Sequence, residues 1–151
     1  MGIVNEMRTD FLACPENEGF ARMVISAFIL PLNPTLEQLG DVKTSVSEAV
    51  TNAIIHGYRS GAGTVRVKAQ LDDGGELTVD VIDNGCGIED IQKARVPFYS
   101  SVEGAERSGM GFTVMESFMD EVLVFSEVDQ GTTVRMRKLI RACDTPVARR
   151  A

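Results

Sequence analysis

Features that would assign this chain to a membrane or secreted class are missing from its 151 residues. No apolar run approaches the roughly 18 residues that a membrane-spanning helix needs, so we expect no membrane partner. Residues 1–6 contain no basic group and no long apolar stretch, which predicts that the chain has no secretory signal. We therefore expect a cytoplasmic protein.

Paired cysteines and basic clusters are missing as well. Cys14, Cys86 and Cys143 lie far apart and never in a CxxC spacing, so we expect neither a disulfide framework nor a zinc site. Asp and Glu outnumber Lys and Arg by 22 to 15, for a net charge of −7. Nucleic-acid binders need clustered cations, so this acidic chain predicts protein partners and no direct contact with nucleic acid.

The pattern of apolar residues predicts one domain over residues 1–140 and a polar, disordered tail over 141–151. Predicted strands cover 5–14 (an edge strand), 64–71, 76–83, 121–128 and 132–140; predicted helices cover 15–30, 36–55, 89–93 and 112–119. Strands and helices do not alternate regularly. This order favours an α+β fold, a two-layer sandwich of a mixed, mostly antiparallel sheet with helices on one face.

The first predicted helix carries an apolar stripe that we expect to face the core. That stripe consists of Phe20, Met23, Val24, Ala27 and Phe28. Arg22 falls off the stripe, so its side chain is expected to face solvent.

A polar line runs along the second predicted helix. Glu48, Asn52 and His56 are spaced at i, i+4 and i+8, which places them on one face of a helix whose other faces are apolar. One interpretation is a solvated polar stripe. The other is a wall of a site where a carboxylate and a carboxamide meet a metal ion and a nucleophile.

Two glycine-rich stretches also allow two interpretations each. Asp83-x-Gly85-x-Gly87 follows a predicted strand and is typical of an ordinary turn; it would equally let a flat base approach the backbone beside a carboxylate. Gly109-x-Gly111 precedes a helix and is either a hinge or a phosphate-binding run of backbone N–H groups. Residues 95–109 before it have little apolar periodicity, which predicts a mobile lid.

Together and in this order, the three stretches resemble the N, G1 and G2 boxes of the GHKL (Bergerat-fold) ATP-binding family. Within that family, residues 47–58, 106–113 and 118–122 are most similar to the small bacterial anti-sigma factor serine kinases of the sporulation type. The resemblance runs from the first strand to about Ile140.

This resemblance implies a homodimeric serine kinase that uses ATP and Mg²⁺. Such a protein holds a sporulation sigma factor inactive and phosphorylates a serine of an anti-anti-sigma protein. A stress-response relative, or an ATP-dependent sigma-binding module with little kinase activity, is the alternative. An ATP hydrolase without a protein acceptor fits the short chain less well.

The resemblance also implies a role for each matching residue. Asn52 offers a carbonyl oxygen to Mg²⁺, and Glu48 is placed to act as general base for the serine hydroxyl. Asp83 would bind the amino group of adenine, with Gly85 and Gly87 leaving room for the base. The remaining predicted nucleotide contacts are Arg107, Ser108, Gly109, Gly111 and Thr133, the second threonine after Gly131.

Two further residues bear on partners and on reaction class. Arg22 matches a position that the family uses to dock both partner proteins, although an exposed helix arginine without a special role fits the sequence equally well. His56 is the one histidine of the chain. A histidine kinase needs its phosphoacceptor histidine on a separate dimerisation helix, so we expect no autophosphorylation on histidine.

Overall fold

The computed structural model describes residues 2–59, 62–96 and 111–143. In chain order its elements are β1 (Ile3–Leu12), α1 (Glu16–Ile29), α2 (Leu36–Asn52), β2 (Thr64–Asp72), β3 (Glu76–Asp83), α3 (Ile91–Ala94), α4 (Gly111–Phe118), β4 (Glu121–Glu127) and β5 (Gly131–Leu139). This is the predicted order of strands and helices. The predicted lid lies, apart from its first two residues, outside the described residues.

The five strands form one sheet in the order β1-β2-β3-β5-β4. All four neighbouring pairs are antiparallel. The predicted α+β sandwich is therefore confirmed, but the expectation of a mixed sheet gives way to antiparallel pairing throughout the described strands. β1 lies at one edge of the sheet, as predicted, and β4 lies at the other.

One face of the sheet supplies the core, because the strands alternate between apolar and polar residues. Buried Val65, Val67 and Ala69 of β2 lie beside Val79 and Val81 of β3. The opposite face is polar and carries cross-strand ion pairs. Asp80 accepts two hydrogen bonds from Arg135, at 2.7 and 2.8 Å, and Asp10 accepts two from Arg66, at 2.7 and 3.0 Å.

The helix α1 buries a different stripe from the predicted one. Ala21, Ile25 and Ile29 are its buried residues, while Phe20 and Met23 are 48% and 69% exposed. The prediction that Phe20, Met23 and Ala27 face the core is wrong. This helix is apolar on two sides, and helical periodicity alone does not decide which side meets the sheet.

The helix α2 begins with a capping box at Thr35. The Thr35 hydroxyl accepts a hydrogen bond from the Gln38 amide, and the Gln38 side chain accepts one from the Thr35 amide, which satisfies two N–H groups of the first turn. Val42, Val46 and Val50 are fully buried, and burying each contributes roughly 1.5–3 kcal/mol. α2 ends at Asn52 and continues as a π turn over Ala53–Gly57, where the sequence predicts ordinary helix to residue 55.

The described chain ends against the connection between α1 and α2. Ala142 forms an isolated bridge with Pro34, and the Cys143 amide donates to the Asn33 carbonyl at 2.6 Å. Residues 144–151 of the predicted tail lie outside the described part of the chain. Within the described residues, no helix combines the length and apolar character that crossing a bilayer requires.

Candidate functional site

Glu48, Asn52 and Gly111 come together where α4 begins against α2. A β-carbon added to Gly111 would lie 3.0 Å from Asn52 Nδ2, 3.3 Å from Asn52 Oδ1 and 3.3 Å from Glu48 Oε2. Glycine at this position therefore keeps a small space open beside a carboxylate and a carboxamide. The first N–H groups of α4 lie at the same place, and such groups attract negative charge.

Asp83 forms a second group at the end of β3. A β-carbon on Gly57 would come within 2.8 Å of the Asp83 carboxylate, and one on Gly85 would come within 1.9 Å of the Gly57 carbonyl oxygen. The Gly85 amide donates to Asp83 Oδ1 at 2.9 Å. The end of the π turn and the turn after β3 thus approach each other backbone to backbone, which only glycine allows.

The charge of Asp83 is held in an unfavourable environment. Burial raises the pKa of the Asp83 carboxyl above its ordinary value of 3.8, and hydrogen bonds from the Gly85 and Thr132 backbone amides offset part of that rise. Burial favours the protonated form of a carboxyl, and N–H donors favour the ionised form. A carboxylate has about four acceptor positions, so two amide donors leave capacity for a further donor.

The register of the sheet places Thr132, and not Thr133, beside Asp83. Thr132 pairs directly with Asp83, whereas Thr133 pairs with Ile82. Directly paired residues of antiparallel strands share a face of the sheet, and their sequence neighbours share the opposite face. Thr132 is also buried. The structure therefore places the predicted contact Thr133 on the far face of the sheet, and Thr132 is the threonine available to this site.

Gly87, Cys86 and His56 lie around the turn after β3. Gly87 has φ of +75°, and a β-carbon there would meet the Glu127 carbonyl at 2.3 Å. The Cys86 amide donates to the Gly57 carbonyl at 2.9 Å, and its thiol donates to the His56 carbonyl at 3.1 Å. These contacts fix the turn against the π turn that follows α2.

Sequence reasoning missed Tyr58, which follows the π turn. Its hydroxyl accepts a hydrogen bond from the Asn84 amide at 2.7 Å and donates one to the Thr64 carbonyl at 2.7 Å. The available signal was an aromatic residue with a hydroxyl immediately after the glycine that ends the helix.

Arg22 lies apart from both groups, on the exposed side of α1. Its guanidinium is 3.4 Å from the Glu18 carboxylate, and the Arg22 side chain is 47% exposed. Glu18 also accepts a hydrogen bond from the Ser47 hydroxyl of α2. The prediction that Arg22 faces solvent is confirmed. Its assignment to partner docking stays a prediction.

Three predicted phosphate contacts, Arg107, Ser108 and Gly109, lie outside the described residues. Within the described chain, no three His, Cys, Asp or Glu side chains are grouped to hold a metal ion. A complete protein cage is not what Mg²⁺ requires beside a nucleotide, because protein oxygens commonly supply one or two of its ligands and phosphates supply others. The Asn52 carbonyl oxygen, with Glu48 close by, fits that limited role.

The two groups are connected by α2 and its π turn. Asn52 and Gly57 are five residues apart, about 7 Å along a helix axis. One group offers oxygen ligands and a helix N-terminus, and the other offers a buried carboxylate between glycines. Such an arrangement can bind a molecule that has a base with an exocyclic amine at one end and phosphates at the other.

Comparison with protein families gives a match to the histidine kinase-like ATPase domain over residues 11–138. Among curated proteins, the chain is 55% identical over 134 residues to the anti-sigma F factor of Clostridium perfringens strain 13, covering 89% of this chain and 96% of that protein. It is 51% identical over 140 residues to the anti-sigma F factor of Thermoanaerobacter sp. strain X514, covering 93% and 97%.

Solved structures show the same fold at low sequence identity. The RsbU and RsbW domains of Rv1364c from Mycobacterium tuberculosis align with a TM-score of 0.66 at 18% identity, covering 92% of this chain and 34% of that one. The catalytic domain of histidine kinase ThkA aligns with a TM-score of 0.56 at 14% identity, covering 89% and 97%. These alignments agree with the α+β sandwich derived above.

Proposed function

Because this chain belongs to the histidine kinase-like ATPase domain family, we propose that it is an anti-sigma factor and an ATP-dependent protein serine kinase. It binds and restrains a sporulation sigma factor, and it transfers the γ-phosphoryl group of ATP to a serine of an anti-anti-sigma protein. The observation that carries the kinase assignment is the meeting of Glu48, Asn52 and Gly111 at the start of α4.

The group around Asp83 is assigned to the base of the nucleotide, and the group around Asn52 is assigned to its phosphates. The Asp83 carboxylate accepts a hydrogen bond from the exocyclic amine of adenine, and Thr132 contributes its hydroxyl on the same face of the sheet. The phosphates lie toward Asn52 and the N-terminus of α4. Arg107, Ser108 and Gly109 are proposed as further phosphate contacts, and ADP binds in the same place.

Glu48 acts on the acceptor serine. Its carboxylate takes the proton of the serine hydroxyl as the serine oxygen bonds to the γ-phosphorus, and the bond from that phosphorus to the β–γ bridging oxygen breaks to leave ADP. Asn52 would hold Mg²⁺ through its carbonyl oxygen, and the bound ion would supply positive charge against the phosphates. Phosphoryl transfer needs mainly positioning and charge stabilisation, and α2 supplies both residues from one rigid element.

A transfer assay with γ-labelled ATP tests the kinase assignment. We expect label on the serine of an anti-anti-sigma protein, and we expect Glu48→Gln to lower the rate by about 10²- to 10⁴-fold, the usual contribution of a general base. Glu37→Gln is the matched control, because Glu37 lies in the first turn of the same helix and is exposed. Absence of transfer by the wild-type protein, or full transfer by Glu48→Gln, contradicts the assigned chemistry.

A sigma-binding module with little kinase activity is the second candidate function. It is supported by apolar side chains exposed on α1 and immediately after it, where Phe20, Met23 and Leu30 are 48%, 69% and 61% exposed. Exposed apolar side chains at helical spacing are typical of a protein-binding surface. Capture of a sigma factor in the presence of ATP, with no label transfer to any anti-anti-sigma protein, would favour this function over the kinase.

The identity of the sigma factor and the oligomeric state belong to the same proposal. The curated relatives are named anti-sigma F factors, which supports the sporulation assignment over a stress-response one. A homodimer is proposed, and β1 offers a free sheet edge for pairing. Competition between sporulation and stress-response sigma factors for the ATP-loaded protein tests the identity of the sigma factor. Sedimentation analysis of the protein tests the homodimer.

A further inference from the structure

Tyr58, the residue after the π turn, forms a hydrogen bond with the turn that follows Asp83. The Tyr58 amide donates to the Ala53 carbonyl at 3.2 Å, five residues back, so the hydrogen bond of this π turn spans one residue more than that of an α-helix. At the end of this turn Gly57 lies against the Asp83 carboxylate, where a β-carbon would come within 2.8 Å of it. Such π turns occur frequently at functional sites.

The Tyr58 hydroxyl forms hydrogen bonds at the ends of two strands, one as donor and one as acceptor. It donates to the Thr64 carbonyl at 2.7 Å and accepts from the Asn84 amide at 2.7 Å. The ring packs on Gly63, where a β-carbon would come within 2.3 Å of it. A phenol cannot rotate freely in this position, so its oxygen is a fixed point between the start of β2 and the end of β3.

The hydrogen bond from the Asn84 amide to the Tyr58 hydroxyl holds the backbone at Asn84. It lies between Asp83 and Gly85, and the Gly85 amide donates to Asp83 Oδ1 at 2.9 Å. The orientation of the Asp83 carboxylate therefore depends on where the backbone at residues 84 and 85 is held. Asn84 is exposed, so without Tyr58 its amide would turn to solvent.

We propose that Tyr58 is a positioning residue for adenine recognition: its hydroxyl fixes the turn after β3 so that the Asp83 carboxylate accepts a hydrogen bond from the exocyclic amine. This inference rests on the proposed nucleotide-binding function. A purely structural tyrosine would alter stability and leave base selectivity unchanged. A positioning residue alters selectivity for the amine.

The variant Tyr58→Phe removes the hydroxyl and keeps the ring on Gly63. We compare the dissociation constants of ATP and of purine riboside triphosphate, which lacks the exocyclic amine, by calorimetry. The wild-type protein should prefer ATP, and Tyr58→Phe should lose about five- to tenfold of that preference, the effect of one hydrogen bond. Binding of purine riboside triphosphate should change little. Ser26→Ala is the control, because Ser26 donates to the Arg22 carbonyl on α1, away from the turn.

The outcomes separate this inference from the proposed function. A wild-type protein that shows no preference for ATP overturns both, since Asp83 then does not read the amine. A wild-type preference that persists in folded Tyr58→Phe overturns the role of Tyr58 alone. If Tyr58→Phe does not fold, hydrogen exchange of the wild-type Asn84 amide decides: protection supports the inference, and exchange at the rate of an unfolded chain overturns it.

Discussion

Asp83 is proposed to bind the base, and its burial makes its charge unfavourable for folding. Its carboxyl is buried between glycines, and burial raises its pKa. The folded state therefore binds the proton more tightly than the unfolded state does. As pH rises from about 3.8 through the raised pKa of the folded protein, the unfolded state loses its proton first and the folded state loses stability relative to it.

Asp83→Asn tests this at the scale of one side chain. Asparagine keeps an acceptor oxygen for the Gly85 amide and carries no charge, so the stability of the variant relative to wild type should improve as pH rises from 3 toward 7. Its affinity for ATP should fall by about 10- to 100-fold, because a hydrogen bond to a charged group contributes about 1.5–3 kcal/mol. Thermal unfolding at several pH values and calorimetry measure the two effects.

Asp73→Asn is the control for that experiment, since Asp73 lies exposed in the turn between β2 and β3. It should change neither the pH dependence nor the affinity. Equal pH dependence of wild-type protein and Asp83→Asn would contradict the account of Asp83.

Which of Thr132 and Thr133 shares a face with Asp83 could not be predicted from sequence. The family resemblance implied that a threonine after Gly131 lies near the adenine, and Thr133 was the predicted contact. Two consecutive threonines on a strand point to opposite faces, and only the pairing of β3 with β5 decides between them. Long-range register is not present in a local pattern, so the sequence could not tell that Thr132, and not Thr133, shares a face of the sheet with Asp83.

Among the elements, α1 shows the same limit for helices. Its sequence contains two apolar stripes, one with Ala21, Ile25 and Ile29 and one with Phe20 and Met23. Either stripe satisfies helical periodicity. The fully buried isoleucines face the core. Of the stripe assigned to the core from sequence, Phe20, Met23 and Ala27 are exposed, whereas Phe28 packs against the core.

The exposed side of α1 leads to a prediction about partner binding. Arg22→Ala should weaken sigma-factor binding by about 10- to 100-fold, because an arginine at the centre of an interface commonly contributes 2 kcal/mol or more. Its ion pair with Glu18 is exposed and contributes little to folding, so ATP affinity and stability should stay unchanged. Titration of each variant over sigma factor immobilised on a biosensor surface measures the affinity.

Arg141→Ala is the matched control, because Arg141 is an exposed arginine that follows β5. Loss of sigma-factor binding in both variants would indicate a general effect of charge. Unchanged binding by Arg22→Ala would contradict the assignment of α1 to the partner surface.

For the whole molecule, sequence was sufficient to predict the architecture. The alternation in β2 and β3 and the turn between them predicted an antiparallel sheet with one buried face, and these strands agree with the predicted bounds to within a residue. The π turn after α2 was not predictable, because residues 53–57 read as ordinary helix and the shift depends on contacts with β3.

The contacts of Ala142 and Cys143 are expected to contribute to the stability of the domain. Truncation after Ile140 removes the contacts of Ala142 and Cys143 with Pro34 and Asn33. We expect a loss of about 1–3 kcal/mol in the free energy of unfolding, since each net hydrogen bond contributes about 0.5–1.5 kcal/mol. Truncation after Cys143 keeps these contacts and is the matched control in urea unfolding. Equal stability of the two truncated chains would contradict this expectation.

The glycine contacts around Asp83 have a consequence for how such a protein can change over evolutionary time. The walls formed by Gly57, Gly85 and Gly131 are main chain packed on main chain or directly on the carboxylate, so single amino-acid exchanges at these positions add atoms where backbone already lies. Single substitutions at these three glycines are therefore expected to disrupt the site, whereas residues around them can change one at a time.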